Sequence, residues 1–174
     1  MMMSSAALGF RGIRLARWPR IFGHDDTLSG RDVYVPVKQT ADEEAEERVV
    51  QFGESHASWI TAVVDRMNRL TTLPEDWDSG GGVPVERDAA EQALLFLRTV
   101  TAPSTLQPSI VPAHDGSLAL EWHTPIYSLE VDIAASGHAS GYFRDRDHDS
   151  EWEDESPGLP ERVRRTLEMR FEVQ

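Results

Sequence analysis

The residues of this chain best suited to chemistry are carboxylates that stand beside an imidazole at alternate positions. Glu121 and His123 alternate with apolar residues in one predicted strand, and Glu130 and Asp132 do so in the next. Such a group can act as a general acid and base or hold a metal ion. The same alternation also describes the solvent side of a half-buried antiparallel sheet. We expect the second explanation, because the chain contains neither an HExxH nor a GxSxG motif.

An acidic run over residues 144–158 is the second candidate for chemistry. From Asp145 onward it has aspartates at the first, third and fifth positions, as an EF-hand calcium loop does. The sixth and twelfth positions of that loop must be Gly and Glu, but here they are Ser150 and Ser156. We therefore predict no metal site and a solvated loop.

This acidic run also contains a tryptophan, Trp152. Tryptophan is over-represented among the residues that dominate binding energies at interfaces. The alternative is that Trp152 packs against helices of its own domain, and the sequence leaves both open. The predicted partner-binding residues are this tryptophan and the acidic residues around it: Trp152, Glu151, Glu153, Asp154, Glu155, Asp145, Asp147 and Asp149.

The charge of the chain is unbalanced. Thirty acidic and seventeen basic residues give a net charge of −13. Residues 1–40 carry +3, so the other 134 carry −16. An acidic body repels phosphate backbones, so we expect no direct binding of nucleic acid. It is attracted to a basic protein surface, although acidity can also serve solubility alone.

Several classes of site are excluded by composition. The chain has no cysteine, which excludes disulfides, a thiolate nucleophile and cysteine-ligated metals. Gly80-Gly81-Gly82 lacks the Lys-Ser/Thr ending of a phosphate loop, and the single lysine is Lys38. No apolar run is long enough to span a membrane, and no secretory signal is recognisable. We expect a cytoplasmic, bacterial-type protein without a cofactor.

Three helices are predicted from apolar residues at three- and four-residue steps. The first covers 41–71, with Thr40 as its cap and acidic residues in its first turns, where the helix dipole favours them. The second covers about 85–101, and a short last helix covers 159–171.

An antiparallel meander of four strands is predicted over 109–144, with a hairpin at Asp115-Gly116. A short connection at Thr124-Pro125 would place Trp122 opposite Tyr127, Leu120 opposite Leu129 and Leu118 opposite Val131, all on one face. Two amphipathic helices can cover that face. The predicted fold class is therefore α+β: a four-stranded antiparallel meander with one face covered by two helices, plus a short C-terminal helix.

Residues 1–40 are predicted to form a basic N-terminal arm, and residues 41–174 a single acidic α+β domain. The arm has Arg11, Arg14, Arg17 and Arg20 at every third position and an alternating segment over 32–37 that suits an edge strand. The arm could bind a partner or fold back on its own domain.

A glycine-rich loop precedes the second helix and reads LPEDWDSGGGVP over residues 73–84. We expect Trp77 to anchor it in the core, as Trp122 is expected to do in the sheet. The loop, the helix and the sequence DGSLALEW at 115–122 together resemble a group of small bacterial proteins with an LPxxWDSxG loop and a DGxxxLEW hairpin. The resemblance covers about 73–143 and implies this fold, but no catalytic residue. Gly80 stands where an aromatic residue is common in that group.

These observations predict a non-enzymatic interaction module that binds a basic protein partner, as an antitoxin, an immunity protein or a small regulator does. Alternatives are a nucleic-acid mimic that inhibits a DNA-binding protein and a hydrolase that uses the carboxylates and His123 of the exposed sheet face. A component of a phage or secretion assembly, or a homo-oligomer, also remains open.

Overall fold

The computed structural model describes residues 31–34, 49–52 and 58–172. No helix in these residues is long and apolar enough to cross a membrane. The elements in chain order are β1 (Arg31–Tyr34), β2 (Val49–Phe52), α1 (Ile60–Leu70), α2 (Arg87–Val100), β3 (Ser109–Pro112), β4 (Leu118–His123), β5 (Tyr127–Ile133), β6 (Ala139–Asp145), β7 (Ser150–Asp154) and α3 (Leu159–Arg170).

The centre of the fold is an antiparallel sheet with the strand order β3-β4-β5-β6-β7. The α+β class is confirmed, but the sheet has five strands and not the predicted four. Alternate residues of its central strands are buried in one cluster with the apolar sides of α1, α2 and α3. Three helices therefore cover one face of the sheet, and the other face carries the alternate, polar positions.

The fifth strand, β7, replaces part of the predicted solvated loop over 144–158, so that prediction was wrong. β7 pairs with β6 from Gly141 opposite Asp154 to Asp145 opposite Ser150. Trp152 packs against the core from the centre of this strand, which ties an otherwise charged segment to the sheet. Charged side chains on an edge strand are common, because they discourage unwanted pairing with other strands.

The register between β4 and β5 differs from the prediction by two residues. Trp122 lies opposite Leu129, and Leu118 lies opposite Ile133. The turn causes the shift: the backbone N–H of Thr124 donates to the carbonyl of Tyr127 at 2.9 Å, which puts Pro125-Ile126 at the tip. Because side chains alternate with a period of two, this shift leaves every residue on its predicted face.

The predicted helix over 41–71 is confirmed for α1 and wrong for residues 49–52. Val49–Phe52 is a strand, β2, which pairs antiparallel with β1. Two valines and a phenylalanine favour a strand, and β1 supplies the backbone partner. The predicted cap at Thr40 and the acidic first turns lie outside the described residues.

The other two predicted helices are confirmed with slightly narrower bounds, as α2 and α3. The strand predicted at 32–37 is present over residues 32–34 as part of β1, and residues 35–37 lie outside the described residues. The arginines at 11–20 lie outside the described residues, and the boundary at residue 40 stays a prediction.

The glycine-rich loop after α1 is fastened to the β3–β4 hairpin by backbone hydrogen bonds. The N–H of Val83 donates to the carbonyl of His114 at 2.9 Å, and the N–H of Glu86 donates to that of Gly116 at 2.8 Å.

Trp77 is not a core residue, contrary to expectation: it is partly exposed, and its indole N–H donates to the carbonyl of Val83 at 2.9 Å. It therefore closes the loop on itself. Trp122 is 2% exposed and is a core residue, as predicted.

Candidate functional site: the open face of the sheet

We call the sheet face opposite the three helices the open face. Its side chains alternate along each strand with the buried ones, and no described helix packs on it. Its polar members on β4 to β7 are Glu121, His123, Ser128, Glu130, Asp132, Ser140, Tyr142, Arg144, Glu151 and Glu153.

The open face brings together two sets of residues that the sequence analysis treated separately. Glu121 lies opposite Glu130, Glu130 lies opposite Tyr142, and Tyr142 lies opposite Glu153. Directly opposed residues in antiparallel strands have Cβ atoms about 4.5–5.5 Å apart. A continuous row thus crosses four strands and joins carboxylates from the predicted polar sheet face with one from the acidic run.

Positive charge on the open face is confined to one end. Arg144 contacts Asp149 at 3.6 Å and Glu151 at 3.7 Å. Arg146, just beyond β6, donates to the hydroxyl of Ser128 at 2.8 Å.

The remaining carboxylates of the open face lack such neutralisation. Within the described part of the chain, no arginine pairs with Glu130, Asp132 or Glu153. Like charges on adjacent strands destabilise a sheet, so this row costs folding free energy.

Two groups on this face, Asp132 and Tyr142, have raised pKa values. Partial burial, and then the charge of Glu121, raise the pKa of Asp132 above its ordinary value. The pKa of Tyr142 is also raised, first because its hydroxyl donates to Glu151 at 2.9 Å. Both shifts mean that an additional negative charge is disfavoured here.

Asp132→Asn should therefore stabilise the protein at neutral pH, with a rise in Tm of about 1–3 °C. An acid whose pKa is raised by folding destabilises the folded state when ionised. The gain should be full above the raised pKa and should disappear as the pH falls below 3.8, the ordinary value, where both states are protonated. Thermal unfolding at several pH values measures this. A Tm below that of the wild type at pH 7 would contradict it, and Asp65→Asn, exposed on α1, is the control.

A catalytic or metal site gains limited support from this geometry. The His123 imidazole lies 3.2 Å from a carboxylate oxygen of Glu121, a pairing that acid–base chemistry would use. Among the described residues, however, no group of three or more His, Asp or Glu side chains could hold a metal ion. A sheet face that no described helix covers contacts a substrate from one side only, whereas small-molecule sites are concave and bury most of the ligand. The arrangement is better suited to contact with another macromolecular surface.

The predicted anchor Trp152 lies on the helix side of β7. Its ring stacks on Phe143 at 5.9 Å between centroids, and the Arg162 guanidinium lies 4.7 Å from its ring centroid. Asp154 points to the same side and accepts a hydrogen bond from Arg162 at 3.2 Å. Trp152 thus packs against its own domain but stays partly exposed. Its role in partner binding remains a prediction.

Asp145 differs from the other predicted acidic residues because it is 2% exposed. Its carboxylate accepts hydrogen bonds from the backbone N–H groups of Asp147 at 3.0 Å and His148 at 3.2 Å. Burial acts to raise the pKa of Asp145, but hydrogen bonds from the His148 side chain and these backbone groups outweigh it and lower the pKa. Asp145 therefore shapes the β6–β7 turn and offers no carboxylate to a partner, whereas Asp147, Asp149 and Glu155 are exposed.

Tyr142 is an aromatic member of the open face that the sequence analysis missed. Its hydroxyl donates to Glu151, and the residue stands between Glu130 and Glu153 in the cross-strand row. The alternation of Ser140 and Tyr142 with apolar residues in the last predicted strand carried the necessary signal.

The chain matches no protein-family model, no curated protein and no solved structure.

Proposed function

We propose that this chain is a cytoplasmic, non-enzymatic interaction module that binds a basic protein through the open face of its sheet. The observation that carries the proposal is a row of carboxylates with which no described arginine pairs, on a sheet face that no described helix covers. Such a row reduces stability within the monomer, and a cationic surface would convert the same charges into favourable contacts.

Electrostatics and packing would have separate roles in this complex. A face with one sign of charge accelerates encounter with a basic partner and rejects acidic ones. Affinity needs desolvated contacts as well, and aromatic side chains are the usual source. Tyr142 supplies an aromatic ring within the row of carboxylates. A small regulator, an antitoxin or an immunity protein would work in this way.

Recovery of a partner is the first step of the test. The full chain serves as bait in a lysate of its native host, and mass spectrometry identifies proteins bound in stoichiometric amount. We expect a basic protein. The purified pair is then measured by isothermal titration calorimetry at two salt concentrations, because screening weakens such a complex as salt rises.

Two triple variants that each remove three negative charges then test whether the open face is the binding surface. Glu121→Gln, Glu130→Gln and Asp132→Asn together remove three negative charges from the open face, and we expect Kd to rise about tenfold or more. Asp65→Asn, Glu75→Gln and Glu86→Gln remove the same charge from exposed positions elsewhere, and we expect about a twofold change or less. Equal losses in the two variants, or the absence of any stoichiometric partner, would refute the proposal.

A further inference from the structure

Strand β7 forms one edge of the sheet, and its hydrogen-bonding pattern shows which backbone groups point outward. The N–H of Arg146 donates to the carbonyl of Ile126 at 3.0 Å, which makes this a hydrogen-bonded pair of β6 with β5. Hydrogen-bonded residues alternate along an antiparallel strand, so Phe143 and its neighbours two residues away bond to β7 instead. Phe143 is paired with Trp152. The N–H and C=O groups of Glu151 and Glu153 therefore face away from the sheet.

A groove runs beside this edge on the helix side. It has a volume of about 430 Å³ and lies between Trp152 and Asp154 of β7 and Arg162, Arg165 and Met169 of α3. Trp152 is partly exposed, and Met169 is 67% exposed. Each is an apolar side chain in contact with solvent at the border of a free strand edge. A side chain arriving from that edge could cover both.

The two sides of the β7 edge thus favour different side chains. A residue paired with Glu151 or Glu153 would project over the open face beside a carboxylate, where opposite charge is favourable. The residue between them would project to the other side, toward Trp152 and Met169. We propose that an extended segment of the basic partner adds to β7 as a sixth strand, with Arg or Lys at alternate positions and apolar residues between them. This inference rests on the proposed function and specifies the partner's chemistry.

The charge of β7 favours an extended basic segment over the β7 strand of a second copy of the chain as the added strand. A second β7 would bring its own Glu151 and Glu153 against the same residues of the first, and like charges directly opposite are destabilising. Charges on edge strands commonly prevent unspecific pairing. Here they would exclude acidic and neutral strands and admit a basic one. Backbone hydrogen bonds would provide affinity, and the alternating side chains specificity, as in other cases of strand addition.

Two fluorescein-labelled peptides with capped ends test the alternation. One is Arg-Val-Arg-Leu-Arg-Val-Arg, and the other has the same composition in blocks, Arg-Arg-Arg-Arg-Val-Leu-Val. Fluorescence anisotropy with the full chain measures both affinities at the same salt concentration. We expect the alternating peptide to bind about tenfold more tightly. Equal affinities would overturn strand addition, because charge attraction alone would then account for the binding.

A pair of variants tests the backbone. Glu153→Pro removes an outward N–H and no hydrogen bond to β6, which an edge strand tolerates. Glu153→Gln removes the same charge and keeps the N–H. We expect the proline variant to lose the preference for the alternating peptide and the glutamine variant to retain it. Retention of the preference in a folded proline variant would overturn the proposal.

Hydrogen exchange on the unmodified protein makes the test independent of how the variants fold. The alternating peptide should slow exchange at the amides of Glu151 and Glu153, and the block peptide should not. Unchanged exchange at saturating alternating peptide would overturn strand addition. Both peptides could bind equally while the open-face triple variant weakens the binding of both. That result rejects strand addition to β7 but keeps the proposed binding of a basic partner to the open face. If neither the peptides nor a native basic protein bind, the proposed function fails as well.

Discussion

Trp122→Ala is expected to lower the free energy of unfolding by about 3–5 kcal/mol. Trp122 is 2% exposed at the centre of the covered sheet face, and its indole N–H donates to the carbonyl of Leu106 at 2.8 Å. Truncation leaves a large cavity and removes the donor of that bond. The loss is a large share of the roughly 5–15 kcal/mol typical of a folded domain. Denaturant unfolding followed by circular dichroism measures it.

Trp77→Ala is the matched control, because the sequence alone assigns both tryptophans to the core. Trp77 is partly exposed, and its hydrogen bond to Val83 lies within its own loop. We expect it to cost less than about 1.5 kcal/mol, the value of a typical hydrogen bond. Trp122→Phe keeps most of the ring volume and should fall between the two. Similar costs for the two alanine variants would contradict the different burial of these tryptophans.

Gly141→Val is expected to cost about 1–3 kcal/mol through overpacking. Gly141 lies on β6, and a Cβ atom added there would stand 2.6 Å from Cδ1 of Leu159 and 3.4 Å from Cζ3 of Trp152. Leu159 is 1% exposed and cannot move freely to make room. Helix α3 begins at Leu159, so a displaced leucine would shift the start of that helix against the sheet. Denaturant unfolding gives the loss.

A double-mutant cycle with Leu159→Ala shows whether this contact is the cause. Shortening Leu159 removes the methyl group that the new side chain would meet. The cost of the double variant should therefore be clearly less than the sum of the two single costs. Additive costs would mean that Gly141→Val acts elsewhere. Gly141→Val should also weaken the binding of the alternating peptide, because Trp152 and α3 form the groove beside the β7 edge.

The residues that share each face of the sheet could be predicted from the sequence. Glu121 and Glu130 each stand between two apolar residues, and a register shift of two residues leaves both on the same face. This is why the predicted register of β4 and β5 was displaced by two residues while the open face was correct. The α+β class and the helices α2 and α3 followed from periodicity in the same way.

Strand β7 could not be predicted, because a strand is defined by its partner as much as by its own residues. The segment is acidic and reads as a solvated loop, yet β6 supplies its hydrogen bonds and Phe143 supplies a ring for Trp152. The burial of Asp145 could not be predicted from the sequence either. The residue belongs to a charged run in sequence, but the fold buries its carboxylate among backbone donors of the following turn.

Residue types and their alternation already assign the acidic positions and the polar face of each strand. Those properties are local, since they depend on residue type and on the two-residue period of a strand. Strand pairing in the folded chain is what brings Glu121, Glu130 and Glu153 into one row and places Trp152 beside the edge of the sheet. Residue type does not determine this, because the pairing of each strand with the next is opposed by the loss of conformational entropy and made favourable by burial of a shared core.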